Sequence, residues 1–206
     1  MRTDRQHGFS IIELMVAITL AALLLALGAP SFVTGMQNRQ IRTAADAVQN
    51  GLVQARTEAL RRNRNVKFQL TSAQGAWIVG CETPDDTLIN GEPACPTVVQ
   101  TRTAETTSKA QVDKTEIVQS TGASAGTTTF TGSGTLTFTP LGRVTTTGAT
   151  PTLGAGNIAI YTVSNPTTGT CVTAGGEMRC LAVRITAAGQ VRMCDPAVGA
   201  GDPRAC

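Results

Sequence analysis

The sequence predicts an α+β fold: one long N-terminal helix, then an antiparallel β-region that it packs against. Three observations predict it. An apolar run near the N-terminus is followed by apolar residues recurring at spacings of three and four as far as residue 59, the mark of a helix with one buried stripe. Beyond residue 65 the period changes to two, as strands require. The 206-residue chain has only 3% aromatic and 15% charged side chains, and its part beyond residue 65 is rich in Thr, Ala and Gly. β-Branched Thr suits a half-buried pleated surface better than a helical bundle. The length allows one ordinary domain with an appended element.

The first element is the apolar run. Phe9–Leu27 holds a single charge, Glu13, and is long enough to span a membrane. Three readings compete for it. A cleavable secretory signal would place its small-residue site after the apolar core, and Ala26-Leu27-Gly28 serves only weakly. A simple membrane anchor accounts for the length but not for a carboxylate at a short offset from the Gly8-Phe9 step. An acid within a membrane segment marks a functional site whose partner has to be named.

Past Pro30, expected to kink or locally open the helix, the stripe comprises Ile41, Ala44, Ala45, Val48, Leu52, Ala55 and Ala59. Arg39, Arg42, Asp46 and Asn50 take other faces, and Glu58 with Arg62 forms a supportive four-residue pair. Gly51 costs about 1 kcal/mol against alanine within a helix, so it marks a close contact or slight bend. The helix is expected to end between Arg62 and Asn65. Arg56, Arg61, Arg62, Arg64 and Lys67 cluster there and complement the helix dipole.

The strands follow. "NVKFQL" and "AWIVGC", joined by "TSAQG", read as a hairpin. "TEIVQS", "TLTFTP", "GRVTT", "NIAIYTV", "LAVRITA" and "QVRMC" are further strands, and "RITAAGQVRM" is a late hairpin turning at Gly189. The stretch from Pro96 to Gly134 reads as a long irregular loop holding one or two short strands.

Six cysteines, Cys81, Cys95, Cys171, Cys180, Cys194 and Cys206, all lie beyond the apolar run. None forms a C-x-x-C pair and the only histidine, His7, precedes the run, so metal-site spacing is absent. An even count beyond a membrane-type segment fits disulfides in an oxidising compartment. Sequence alone leaves the connectivity open; nearest-neighbour pairing, Cys81/Cys95, Cys171/Cys180 and Cys194/Cys206, is the simplest, because each pair brackets a short turn-rich loop.

The stretch Gly8, Phe9, Ser10-Ile11-Ile12, Glu13, Leu14-Met15-Val16 resembles the type III signal sequence of type IV pilins and type II secretion pseudopilins. The resemblance implies cleavage between Gly8 and Phe9 by a prepilin peptidase on the cytoplasmic side, then N-methylation of Phe9. It divides the chain into a leader, 1–8; a transmembrane and filament-core helix, 9–36; and a globular domain, 37–206, helical to about residue 63. His7 leaves with the leader, and Pro30 falls where such proteins carry a proline. Cleavage also supplies the partner for Glu13: a new cationic amine at Phe9 of a neighbouring subunit. Pairing offsets the cost of burying both charges in an apolar filament.

"TLTFTPLGRVT", followed some way later by "LAVRITAAGQVRMC", resembles the globular domain of the GspH/FimT (FimU-like) family of minor pilins and pseudopilins. Cys194 and Cys206 match the C-terminal disulfide loop common among pilins. The resemblance implies a structural subunit that assembles with other minor and major pilins, in an initiating or tip complex. It would sit in the bacterial inner membrane with a periplasmic domain before assembly and in a pilus or pseudopilus afterwards. Two alternatives travel with it: a pseudopilin of a type II secretion system, and a DNA-binding pilin for natural transformation. DNA binding in that family is associated with a basic C-terminal Gly-Arg-x-Arg pattern. Here the stretch is Gly189-Gln190-Val191-Arg192, and Gln190 carries no charge to release a counterion. Arg179, Arg184, Arg192 and Arg204 are the candidate DNA contacts, with Arg184 and Arg192 sharing a face across the late hairpin.

Catalysis has little to work with. Without His7, Ser-His and Cys-His activation are excluded. Asp85-Asp86 beside Pro84 read as a solvated turn. Gly175-Gly176 read as a hairpin tip, and no glycine-rich phosphate loop opens a helix. The expectation is a non-enzyme with no cofactor and no metal. The net charge of +3 does not by itself demand a nucleic-acid partner.

Overall fold

The computed structural model describes residues 10–105, 107–119, 127–129, 135–145, 157–167 and 169–206; side chains at 27–31, 113–119, 127–129, 157 and 158 are outside the description. The chain divides into two units, Met1–Met36 and Gln37–Cys206. Helix α1, Ile11–Arg62, supplies residues to both. Its backbone is helical at Pro30. A proline deletes one bond of the ladder, and the bonds around it hold the helix.

Within the second unit the predicted stripe is the buried face of α1: Ile41, Ala45, Val48, Leu52, Ala55 and Ala59 are fully buried and Ala44 nearly so. The helix stops in a Schellman-type cap. Asn63 takes the left-handed conformation (φ 52°) and the Arg64 N–H donates back to the Ala59 carbonyl at 3.3 Å.

Two five-stranded antiparallel sheets meet this helix in one core. The first runs β5-β2-β1-β8-β9, from Gln100–Arg102, Trp77–Cys81, Val66–Leu70, Thr135–Phe138 and Val144–Thr145. The second runs β12-β11-β10-β6-β7, from Val191–Cys194, Leu181–Thr186, Asn157–Ser164, Gln111–Gln119 and Thr127–Thr129. β3 (Asp85–Ile89) and β4 (Glu92–Cys95) form a separate hairpin. Phe68 lies 5.9 Å centroid to centroid from both Trp77 and Tyr161, joining the sheets. The Trp77 indole N–H donates to the Ala47 carbonyl of α1 at 3.1 Å. Among the described residues every core residue lies between Ile41 and Cys194, so the second unit carries a core of its own.

Three expectations are corrected. The Pro96–Gly134 stretch holds three strands rather than one or two, and β6 pairs along most of β10. The "TEIVQS" strand read from the sequence is the second half of β6, which begins earlier, at Gln111. Asp85 and Asp86 lie in β3, not in a turn; the turn is Asn90-Gly91, both with positive φ (55° and 86°), the signature of a tight hairpin. Gly175 is no hairpin tip: it caps a 3-10 turn, Val172–Ala174, in the left-handed conformation that a residue without Cβ adopts cheaply.

Candidate functional site

Gly8 and Phe9, the processing residues, lie outside the described residues. Glu13 stands in the first turn of α1, where its N–H and that of Leu14 both donate to the Ser10 carbonyl at 3.1 Å. It is exposed, as are Ile11, Ile12, Leu14, Met15, Val16 and Ile18 around it. Apolar side chains thus cover this helical stretch on all sides, which leaves no polar face to turn toward water. Among the described residues, however, no helix is long and apolar enough to cross a membrane. The span expected over 9–36 takes in residue 9 and the side chains at 27–31, which lie outside the description.

All six cysteines are paired, as Cys81–Cys95, Cys171–Cys180 and Cys194–Cys206. The first joins the end of β2 to the end of β4 and anchors the extra hairpin. The second closes the loop around the 3-10 turn. The third ties β12 to residue 206. No group of three potential metal ligands stands together among the described residues.

The candidate arginines fall into two sets. Arg184 and Arg192 are direct partners across β11 and β12. Arg184 Nη1 donates to the Cys206 carbonyl; Arg192 Nη2 donates to the Pro203 and Ala205 carbonyls at 2.9 and 2.7 Å. Both therefore hold the 195–206 loop against the sheet. Arg179 and Arg204 lie at a separate cleft and are paired with acids: Arg179 with Asp195 at 3.8 Å, Arg204 with Asp202 at 2.7 Å. The bonds from the Arg204 side chain and its N–H lower the Asp202 carboxyl to about 2. Gly189, with φ 78°, is required by the turn between β11 and β12, and a Cβ there would collide with the Gly142 carbonyl. The glycine of the Gly-x-x-Arg stretch thus has a purely structural reason.

In the cluster at the end of α1, Arg61, Arg62 and Arg64 are likewise bonded. Glu58 accepts from Arg61 and Arg62 at 2.8 and 2.7 Å, and Arg62 Nη1 also donates to the Pro93 and Ala94 carbonyls of β4 at 3.0 Å. Arg64 meets Asp85 at 3.2 Å. Bonds from the Thr87 hydroxyl and N–H, and then the charge of Arg64, hold the Asp85 carboxyl below its ordinary value. These arginines dock the β3–β4 hairpin as well as complementing the dipole. That second role left no trace in the sequence, because main-chain acceptors have no residue signature.

A methylation-type N-terminus leading into one long helix and an antiparallel β-domain with disulfides defines the class of minor type IV pilins and pseudopilins. The chain belongs to the GspH family: residues 44–204 match the family described as type II transport protein GspH, and residues 3–29 match the prokaryotic N-terminal methylation motif. Among curated proteins none matches. Two crystal structures of the type IV minor pilin FimU of Pseudomonas aeruginosa (strain PAO1) are similar. In space group P65 the identity is 19%, covering 74% of this chain and 90% of that one, with a TM-score of 0.41. In space group P21 the identity is 20%, covering 75% and 88%, with a TM-score of 0.43.

Proposed function

We propose that this chain is a minor type IV pilin whose role is structural, in an initiating or tip complex of the pilus. A prepilin peptidase removes residues 1–8, the amine of Phe9 is methylated, and residues 9–36 hold the protein in the inner membrane until assembly draws them into the filament core. The domain 37–206 then presents its surface to other minor and major pilins. The observation that carries this reading is the placement of Glu13. It is an exposed acid in the first turn of a helix whose neighbouring apolar side chains are all exposed. Such a surface requires an apolar environment, and the acid within it requires a cation. The amine freed at Phe9 of a neighbour is that cation.

The test is Glu13→Ala in cells that assemble filaments. Processing of the leader is expected to persist, while the amount recovered in sheared filaments falls about tenfold or more, since leaving one buried charge unpaired costs several kcal/mol. Wild-type recovery would reject the pairing.

A second reading, a pseudopilin of a type II secretion system, is favoured by the description of the matched family. Deleting the gene separates the two: loss of surface pili follows from the first, loss of exported proteins from the second. DNA binding through Arg179, Arg184, Arg192 and Arg204 is not adopted, because each of these guanidinium groups already has an acceptor within the chain.

A further inference from the structure

The second unit contains a cleft of about 370 Å³ whose charged lining is almost all of one sign. Arg39 and Arg42 reach it from α1, Arg179 from the Cys171–Cys180 loop and Arg204 from the 195–206 loop, and among the described residues Asp195 is its only acid. The cleft is built rather than incidental. The Arg179 N–H donates to the Asn38 side chain at 2.9 Å, fixing that loop to the helix. Asp195, 5% exposed, accepts from the Ala197 N–H at 2.9 Å, and its own N–H donates to the Arg204 carbonyl at 2.7 Å. Arg179 and Arg204 have carboxylate partners; Arg39 and Arg42 have none among the described residues. Two exposed guanidinium groups thus face a pocket whose described acid, Asp195, is paired with Arg179.

We infer that this cleft binds a phosphate group, and that its occupant is the headgroup of an anionic phospholipid. Guanidinium forks match phosphate oxygens in pairs, which favours phosphate over a simple halide or a buried water. Position favours a lipid source. Arg39 and Arg42 follow Met36, the last residue of the N-terminal unit, by three and six positions of α1, about 4.5 and 9 Å of helix. Under the membrane-anchored reading above, on which this rests, that chain length holds both arginines at the headgroup layer. A pocket of this volume encloses one headgroup and not a nucleic-acid duplex. Headgroup binding would orient the domain on the bilayer before assembly, and extraction into a filament would have to break it.

The second unit, residues 37–206, has its own core and all three disulfides and is the material for the test. It is incubated with vesicles of phosphatidylglycerol or of phosphatidylcholine, with glycerol 3-phosphate, and with a duplex oligonucleotide. Co-sedimentation with phosphatidylglycerol vesicles is expected, weakening with salt. Arg39→Ala with Arg42→Ala should lower that partition on the order of 30-fold, two residues at about 1 kcal/mol each. Lys67→Ala with Arg143→Ala, an equal loss of charge away from the cleft, should leave it unchanged. Equal losses in both double variants, or no partition at all, would overturn the site. Binding of glycerol 3-phosphate without vesicles, or tighter binding of the duplex lost in the same variant, would overturn the lipid source. Failure of the anchoring reading shows separately: the full-length chain would leave membranes in alkaline carbonate whether or not Arg39 and Arg42 are present.

Discussion

Arg184 and Arg192 stand opposite one another on β11 and β12, and both guanidinium groups end on main-chain carbonyls of the 195–206 loop. Two like charges across a strand pair repel. Here the repulsion is offset because each cation satisfies carbonyls that the loop would otherwise leave to water. The pair and the Cys194–Cys206 disulfide close the same loop by independent means.

Arg192→Ala should therefore destabilise the 37–206 unit by about 1–2 kcal/mol, at or below the lower end of the range for hydrogen bonds to a charged group, since the site is exposed. Urea unfolding measures it. Arg192→Lys keeps the charge but not the fork, and should recover only part of the loss. Full recovery by lysine would mean that the charge, not the carbonyl geometry, is what matters, and would reopen a role in binding.

Replacing Cys194 and Cys206 by serine should cost about 2–4 kcal/mol by the loop-closure argument. With that loop already free, Arg192→Ala should cost less than it does alone, because both changes act on one segment. Strict additivity of the two unfolding energies would show that they act separately.

Gly51→Ala should destabilise despite adding about 1 kcal/mol of helix propensity. A Cβ there would lie 2.7 Å from Phe68 Cε2 and 2.8 Å from Trp77 Cε2, atoms of rings already fixed in the core. Overpacking of this kind costs about 1–3 kcal/mol and outweighs the gain. A rise in melting temperature would contradict the packing of α1 on the first sheet.

Glu58 makes stability depend on pH. Burial opposes its charge, but the bonds from Arg61 and Arg62 prevail and lower its carboxyl below the ordinary 4.5. A lowered value in the folded state means the stabilisation is complete above about 4.5, where the unfolded chain ionises, and is lost as pH falls through the folded value. Glu58→Gln should be less stable than wild type at neutral pH and should lose less on acidification from pH 5 to pH 3. Parallel pH profiles would exclude the Glu58–arginine pairs as the cause.

What was legible in the sequence follows from what leaves a period. The α1 stripe and the β1–β2 and β11–β12 hairpins are half-buried, so burial imposes spacing on their residues, and Arg184 and Arg192 fell on one face as alternation requires. β3 is exposed along nearly its whole length and carries no such pattern. Its only local signal is Asn90-Gly91, and the Cys81–Cys95 bond fixes its neighbourhood. The later half of β6 was legible as "TEIVQS", but its start at Gln111 and its pairing with β10, some forty residues away, lie beyond any local window. The partners of the arginines were illegible for a different reason: carbonyls of Pro93, Ala94, Pro203 and Ala205 offer acceptors that any residue would offer.

The central claim is that removing the leader creates the cation that Glu13 requires. Mass spectrometry of the N-terminal peptide from sheared filaments tests it most directly. An N-methylated Phe9 at the start of the assembled chain is the predicted result. A chain that begins at Met1, or near Ala29 with Glu13 gone, would contradict it.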